Sequence, residues 1–77
     1  MKKIIVYSTP TCHFCHLAKD FFTAKGVAFE DKDVMVDLVA RQEMVTKSGQ
    51  MGVPVLDIDG KIIVGFDEVE IAKELGI

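Results

Sequence analysis

Ile4-Ile5-Val6-Tyr7-Ser8-Thr9-Pro10-Thr11-Cys12-His13-Phe14-Cys15-His16 is the stretch on which the fold turns. Its first four residues are apolar without alternation, which suits a strand buried on both faces. From Phe14 the apolar positions run Phe14, Leu17, Ala18, Phe21 and Phe22, the spacing of one helix face, and Gly26 ends it. A Cys-x-x-Cys pair therefore sits where a strand hands over to a helix. Unpaired N–H groups at a helix start favour the anionic form of a thiol placed there. The second thiol, about one turn further on, can close a disulfide onto the first, so two-electron thiol–disulfide chemistry is expected. A purely structural staple is disfavoured, because closing a four-residue loop stabilises a fold by about 2 kcal/mol at most before strain.

Working outward, Val27 to Val34 contains a second strand, and the charges of Glu30-Asp31-Lys32-Asp33 mark it as an edge. Val36 to Ser48 reads as a helix ended by Gly49, with a poorly marked start because Met35 is a weak cap. Val53-Pro54-Val55-Leu56-Asp57-Ile58, Asp59-Gly60 and Lys61-Ile62-Ile63-Val64 form a hairpin signature, with Asp-Gly supplying the two positive-φ positions of a type I′ turn. Gly65 breaks the last strand. Asp67 followed by Glu70 is a capping-box pattern opening a final helix that carries Ile71, Ala72 and Leu75. The order is βαβαββα, an α/β chain. A right-handed crossover makes the first two strands parallel, and the hairpin completes a mixed four-stranded sheet flanked by helices. Residues 1–77 are expected to form a single domain, without repeats or linkers.

Composition limits the partners. With 49% apolar residues, the chain is core-rich rather than disordered. A net charge of −3 and no Lys/Arg cluster argue against nucleic acid. The apolar runs are too short for a membrane span. Lys2-Lys3 precedes apolar residues as in a signal peptide, but Ser8-Thr9-Pro10 interrupts the run before a leader core is complete. The expected location is the cytoplasm, and the expected state is a monomer.

Three groups of residues carry a family likeness: Tyr7-Ser8-x-x-Thr11-Cys12-x-x-Cys15-His16, Gly52-Val53-Pro54 and Gly65-Phe66-Asp67. Together, in this element order, they resemble the glutaredoxins over essentially the whole chain, and the fold implied is thioredoxin-like. The chain is also similar to the short glutaredoxin-like redoxins that serve ribonucleotide reductase and draw electrons from thioredoxin reductase. The resemblance implies an enzyme that reduces protein disulfides, with Cys12 as the attacking thiolate and Cys15 as the thiol that resolves the mixed disulfide. It implies a cis Val53–Pro54 bond beside the thiols, where the Val53 backbone would pair with glutathione or an extended target segment. Gly65, Phe66 and Asp67 would hold the γ-glutamyl carboxylate of glutathione at a helix start. Asp67 also reads as a plain N-cap, and the two roles are compatible. Thr11, His13 and Phe14 complete the expected contact set, while Tyr7 is either at the mouth of the site or in the core. No tightly bound cofactor is expected; glutathione or thioredoxin reductase would supply electrons.

Three positions depart from the family pattern. The Lys usual three residues before the first cysteine is Thr9, the usual Gly-Gly pair is Val64-Gly65, and the usual Pro-Tyr between the cysteines is His13-Phe14. These weaken the case for glutathione and leave dithiol chemistry intact. His13 either stabilises a thiolate at Cys12 as an imidazolium or is simply exposed, and His16 packs or is solvated within the helix. Two other classes remain. Cys-x-x-Cys-His is also the c-type haem attachment signature, with Met35, Met44 or Met51 as an axial ligand. The thiols with His13 or His16 also suggest zinc, without a second ligand cluster to complete a site, or an iron–sulfur cluster shared by two subunits with glutathione.

Overall fold

A computed structural model describes residues 3–77; Met1 and Lys2, and with Lys2 half of the basic pair weighed above, lie outside them. Seven elements occur in the expected order: β1 Ile4–Ser8, α1 His13–Ala24, β2 Glu30–Asp33, α2 Leu38–Ser48, β3 Val55–Ile58, β4 Lys61–Val64 and α3 Glu68–Leu75. The sheet order is β2-β1-β3-β4. β1 pairs with β2 in parallel, and the β1–β3 and β3–β4 pairs are antiparallel. The charged strand β2 is an edge, as its composition indicated.

Alternation along the central strands builds two apolar layers. Ile4, Val6, Leu56, Ile58 and Ile63 face one way, against Ala18 and Phe22 of α1 and Ile71 of α3. Ile5, Tyr7 and Val55 face the other way, with Val34 and with Ala40 and Met44 of α2. All five residues of β1 are buried, which is why that strand shows no polar alternation. Asp59 (φ 51°) and Gly60 (φ 96°) supply the two left-handed positions of the β3–β4 turn.

The start of α2 differs from expectation. The helix begins at Leu38 rather than Val36, and its cap is Asp37, whose carboxylate accepts from the Ala40 N–H at 3.0 Å. Asp37 was hidden among apolar neighbours, and the capping bond, not the apolar run, sets the boundary. Val53-Pro54 likewise precedes β3 rather than opening it.

On the α2 side of the sheet, Lys47 donates to Asp57 Oδ2 at 2.7 Å and to the Tyr7 hydroxyl at 2.8 Å. Tyr7 in turn donates to Glu43 Oε1 at 3.1 Å, which also accepts from Lys32 at 2.9 Å. Tyr7 is therefore a core residue with a satisfied hydroxyl, not a lip of the site. Burial disfavours both charges of the Lys47–Asp57 pair, but their mutual hydrogen bond, the further bonds from Lys47 to Tyr7 and from the Gly60 N–H to Asp57, and the charge attraction together outweigh it. Lys47 is held above the usual ammonium range and Asp57 below the usual carboxylate range. A depressed carboxyl contributes stability that is present above its unfolded value, near pH 3.9, and is lost as pH falls through the folded value. Asp57→Asn is therefore expected to lower unfolding free energy by about 1–3 kcal/mol at pH 7. The gap to the native chain should narrow below about pH 4 in urea titrations. A gap independent of pH would show that the ion pair is not its source.

Candidate active site

Cys12 is itself the N-cap of α1. Its sulfur accepts from the Cys15 N–H at 3.2 Å, so a first-turn amide is aimed at the atom that would bear negative charge. The approach is set by Pro10-Thr11, and the Cys12 N–H donates to the Thr9 carbonyl at 3.3 Å. Across from α1, the Val53 carbonyl lies 3.8 Å from the Cys12 sulfur, in reach of its S–H. The Val53–Pro54 peptide is cis. Pro54 is buried, and its carbonyl accepts from the Gly65 N–H at 2.8 Å. A chain of direct contacts thus joins Cys12, Val53, Pro54 and Gly65, which are far apart in sequence. Gly65 has φ 87°, a left-handed geometry that strains any residue with a Cβ, so its place has a backbone cause besides any ligand.

The two thiols differ sharply. Cys12 is part-exposed, whereas Cys15 is fully buried beneath it. Burial, and then the hydrogen bond with Cys12, push the Cys15 thiol up to about 12, so it keeps its proton at neutral pH.

Other expected site residues take separate places. Thr11 is exposed in the loop before Cys12. His13 and Phe14 are exposed on the first turn of α1, their rings edge to face with centroids 5.5 Å apart. His16 is also exposed, and its Nε2 lies 2.9 Å from the Pro10 carbonyl, tying the helix to the active-site loop. Phe66 packs its ring against Phe21, with centroids 6.1 Å apart, so it braces α3 on α1. Asp67 caps α3 by accepting from the Glu70 N–H at 3.1 Å, the plain N-cap role. Among the described residues, no three His, Cys, Asp or Glu side chains converge as a metal site. No helix among them is long and apolar enough to cross a membrane.

A cleft of about 250 Å³ that the sequence did not reveal opens beside these thiols. Thr9 and Val53 form its wall next to Cys12, and the buried side chains of Val34 and Met44 lie at its base. The exposed Met35, Met51 and Arg41 line the rest. No periodicity links these positions, which come from three separate loops and from α2, so only the tertiary fold brings them together.

A four-stranded mixed sheet with Cys-x-x-Cys heading its first helix and a cis-proline opposite is the arrangement of a thioredoxin-like redox protein. Comparison with known proteins agrees. Residues 4–63 match the family model for glutaredoxin. A glutaredoxin-like 8.6 kDa protein from the rubredoxin operon of Clostridium pasteurianum is 49% identical, over 91% of this chain and 93% of that one. Glutaredoxin 3 of Escherichia coli K12 is 35% identical over 90% of this chain and 83% of its own. Among solved structures, a mutant of the thioredoxin-like protein BC3987 superposes with a TM-score of 0.92 at 35% identity, covering 100% of this chain and 99% of that one. The chain belongs to the glutaredoxin family.

Proposed function

We propose that this protein is a thiol–disulfide oxidoreductase that reduces protein disulfides through Cys12 and Cys15, acting as a single-domain monomer in the cytoplasm. The observation that carries this reading is the pairing of a part-exposed sulfur at a helix N-cap with a buried, protonated thiol one turn behind it. The Cys12 thiolate attacks one sulfur of the substrate disulfide. The other substrate sulfur leaves as a thiolate and takes up a proton. Cys15 then attacks the Cys12 sulfur of the mixed disulfide, its proton passing to the departing substrate thiolate. Two electrons go from the cysteine pair to the substrate, and a Cys12–Cys15 disulfide remains.

The raised pKa of Cys15 fits the order of these steps. Two of its causes, the hydrogen bond and the charge interaction with Cys12, concern the Cys12 sulfur. Once that sulfur is bonded to substrate it carries no charge, and Cys15 becomes easier to deprotonate. Burial, the largest cause, persists, so the mixed disulfide relieves the hold on the Cys15 proton only in part.

Glutathione is the electron donor suggested by family membership, with thioredoxin reductase as the alternative. In this reading Val53 pairs with the donor's backbone, Gly65, Phe66 and Asp67 receive the γ-glutamyl end, and Thr11, His13 and Phe14 border the sulfur. A reducing compartment suits thiols that must recycle. The test is turnover of a disulfide substrate with glutathione plus its reductase, or with thioredoxin reductase. Turnover in either supports the function and names the donor, and silence in both with intact thiols counts against it. Thr9 borders the cleft beside Cys12, where a cation would meet a donor carboxylate. Thr9→Lys is expected to lower the KM for glutathione about 2- to 5-fold, the worth of one exposed ion pair. An unchanged KM would mean that glutathione does not reach this pocket.

A further inference from the structure

The geometry points to His16 as a positioning residue: its ring fastens the loop that carries Cys12 to the first turn of α1, and so keeps the Cys12 sulfur where Cys15 can attack it. This rests on the thiol–disulfide function proposed above and adds to it a residue that acts in one of the two exchange steps.

Cys12 stands at the seam between an irregular loop and a helix. The first turn of a helix lacks part of its backbone bonding and frays readily. Three contacts hold this seam. Within the loop, the Cys12 N–H donates to the Thr9 carbonyl at 3.3 Å. The His16 N–H donates to the Cys12 carbonyl at 3.2 Å, the first regular bond of the helix. The His16 ring then reaches back past Cys12, and its Nε2 lies 2.9 Å from the Pro10 carbonyl. A carbonyl only accepts, so Nε2 carries the proton and donates. Pro10 has no N–H, which leaves its carbonyl as the backbone group by which it is held. His16 therefore grips the run from Pro10 to Cys12 at both ends, by its backbone at Cys12 and by its ring at Pro10. The ring is exposed, so core packing does not account for its place. The contact also survives ionisation, because an imidazolium keeps its proton on Nε2.

The two exchange steps make different demands on this loop. Attack on the substrate is bimolecular and needs only the part-exposed sulfur of Cys12. Resolution is unimolecular. The Cys15 sulfur bonds to the Cys12 sulfur, the bond from Cys12 to substrate breaks, and the departing substrate thiolate takes the Cys15 proton. Cys15 is fully buried in α1, so the alignment of this step depends on where the loop holds Cys12. Holding two reacting groups in a near-attack arrangement is worth orders of magnitude in rate, and releasing one of the loop's anchors forfeits a part of that, about 3- to 10-fold.

The test mixes prereduced protein with an excess of a capped peptide disulfide, quenches with acid at intervals and weighs the chain. Reduced chain, chain bearing one peptide and chain lighter by two hydrogens are separate masses, so the two steps are timed independently. In His16→Ala the closing step should slow about 3- to 10-fold and the peptide adduct should accumulate, while the first step stays within about twofold of native. His16→Gln, whose amide N–H lies close to the place of the Nε2–H, should restore the native closing rate. An exposed position makes both variants compatible with folding. A second readout needs no variant: in ¹⁵N-labelled native protein at about pH 8, above the usual imidazole range, the His16 proton should reside on Nε2. A proton on Nδ1 alone would overturn the tether. So would native closing in His16→Ala, a glutamine variant no faster than the alanine one, or equal slowing of both steps, which marks a general structural defect. Each of these outcomes leaves the function standing. Native protein that exchanges no disulfide would overturn the function and the role of His16 together.

Discussion

Cys12→Ser is expected to abolish disulfide exchange, by roughly a thousandfold or more, because no other thiol of the chain reaches solvent beside Val53. A serine hydroxyl still accepts the Cys15 N–H at the N-cap, so the helix start and the fold are retained. Loss of activity in a folded protein is the informative combination. Cys15→Ser should behave differently. It leaves the attacking sulfur in place and removes the resolving one, so the protein should accumulate as a mixed disulfide with substrate at Cys12. Mass spectrometry of the quenched reaction distinguishes the two variants. Full activity of Cys12→Ser, or adducts located at Cys15, would reverse the assignment of roles.

Phe22→Ala carries the largest expected effect on stability. Phe22 is fully buried where α1 meets the sheet, with its ring centroid 5.9 Å from that of Phe21 and 5.6 Å from that of Phe29. It belongs to the same apolar layer as Ile4, Val6, Leu56 and Ile58. Deleting a buried phenyl ring costs about 3–5 kcal/mol, because transfer energy is lost and the cavity closes only in part. Native domains as a class are stable by only about 5–15 kcal/mol. For a chain of 77 residues the variant should therefore be largely unfolded at low urea. A denaturation curve recorded by circular dichroism measures this directly. A loss below about 1 kcal/mol would mean that the α1–sheet layer is not the principal core. Because α1 also presents Cys12, activity and structure should be lost together here, in contrast to Cys12→Ser.

Much of this was legible in the sequence, for identifiable reasons. The unalternated run from Ile4, the helical spacing from Phe14 and the Asp59-Gly60 turn are local signals, and each appears where its period or turn chemistry places it. The hydrophobic period alone misplaced the start of α2, because the Asp37 cap outweighs the apolar character of Val36. At the site, the thiol pair was visible because both cysteines lie on one helical turn. The cis geometry at Val53–Pro54 came with the family likeness, as no local signal marks it. The split of Cys15 and Cys12 into buried and accessible thiols came with the same likeness, and the structure shows burial as its physical cause. Only long-range packing creates the features that stayed hidden. The Lys47–Tyr7–Asp57 network joins three elements, and the cleft of Thr9, Met35, Arg41 and Met51 gathers segments with no common period. The sequence offered Met35, Met44 and Met51 as axial ligands for a haem, whereas the fold gathers them at one apolar cleft beside the thiols.

The most direct test of the central claim is to mix fully reduced protein with one equivalent of a peptide disulfide, quench with acid and weigh the chain. Dithiol exchange predicts that the protein loses the mass of two hydrogens, that peptide mapping finds Cys12 joined to Cys15, and that two peptide thiols appear for each chain oxidised. A chain of unchanged mass, with both thiols still free and the peptide disulfide intact, would contradict it.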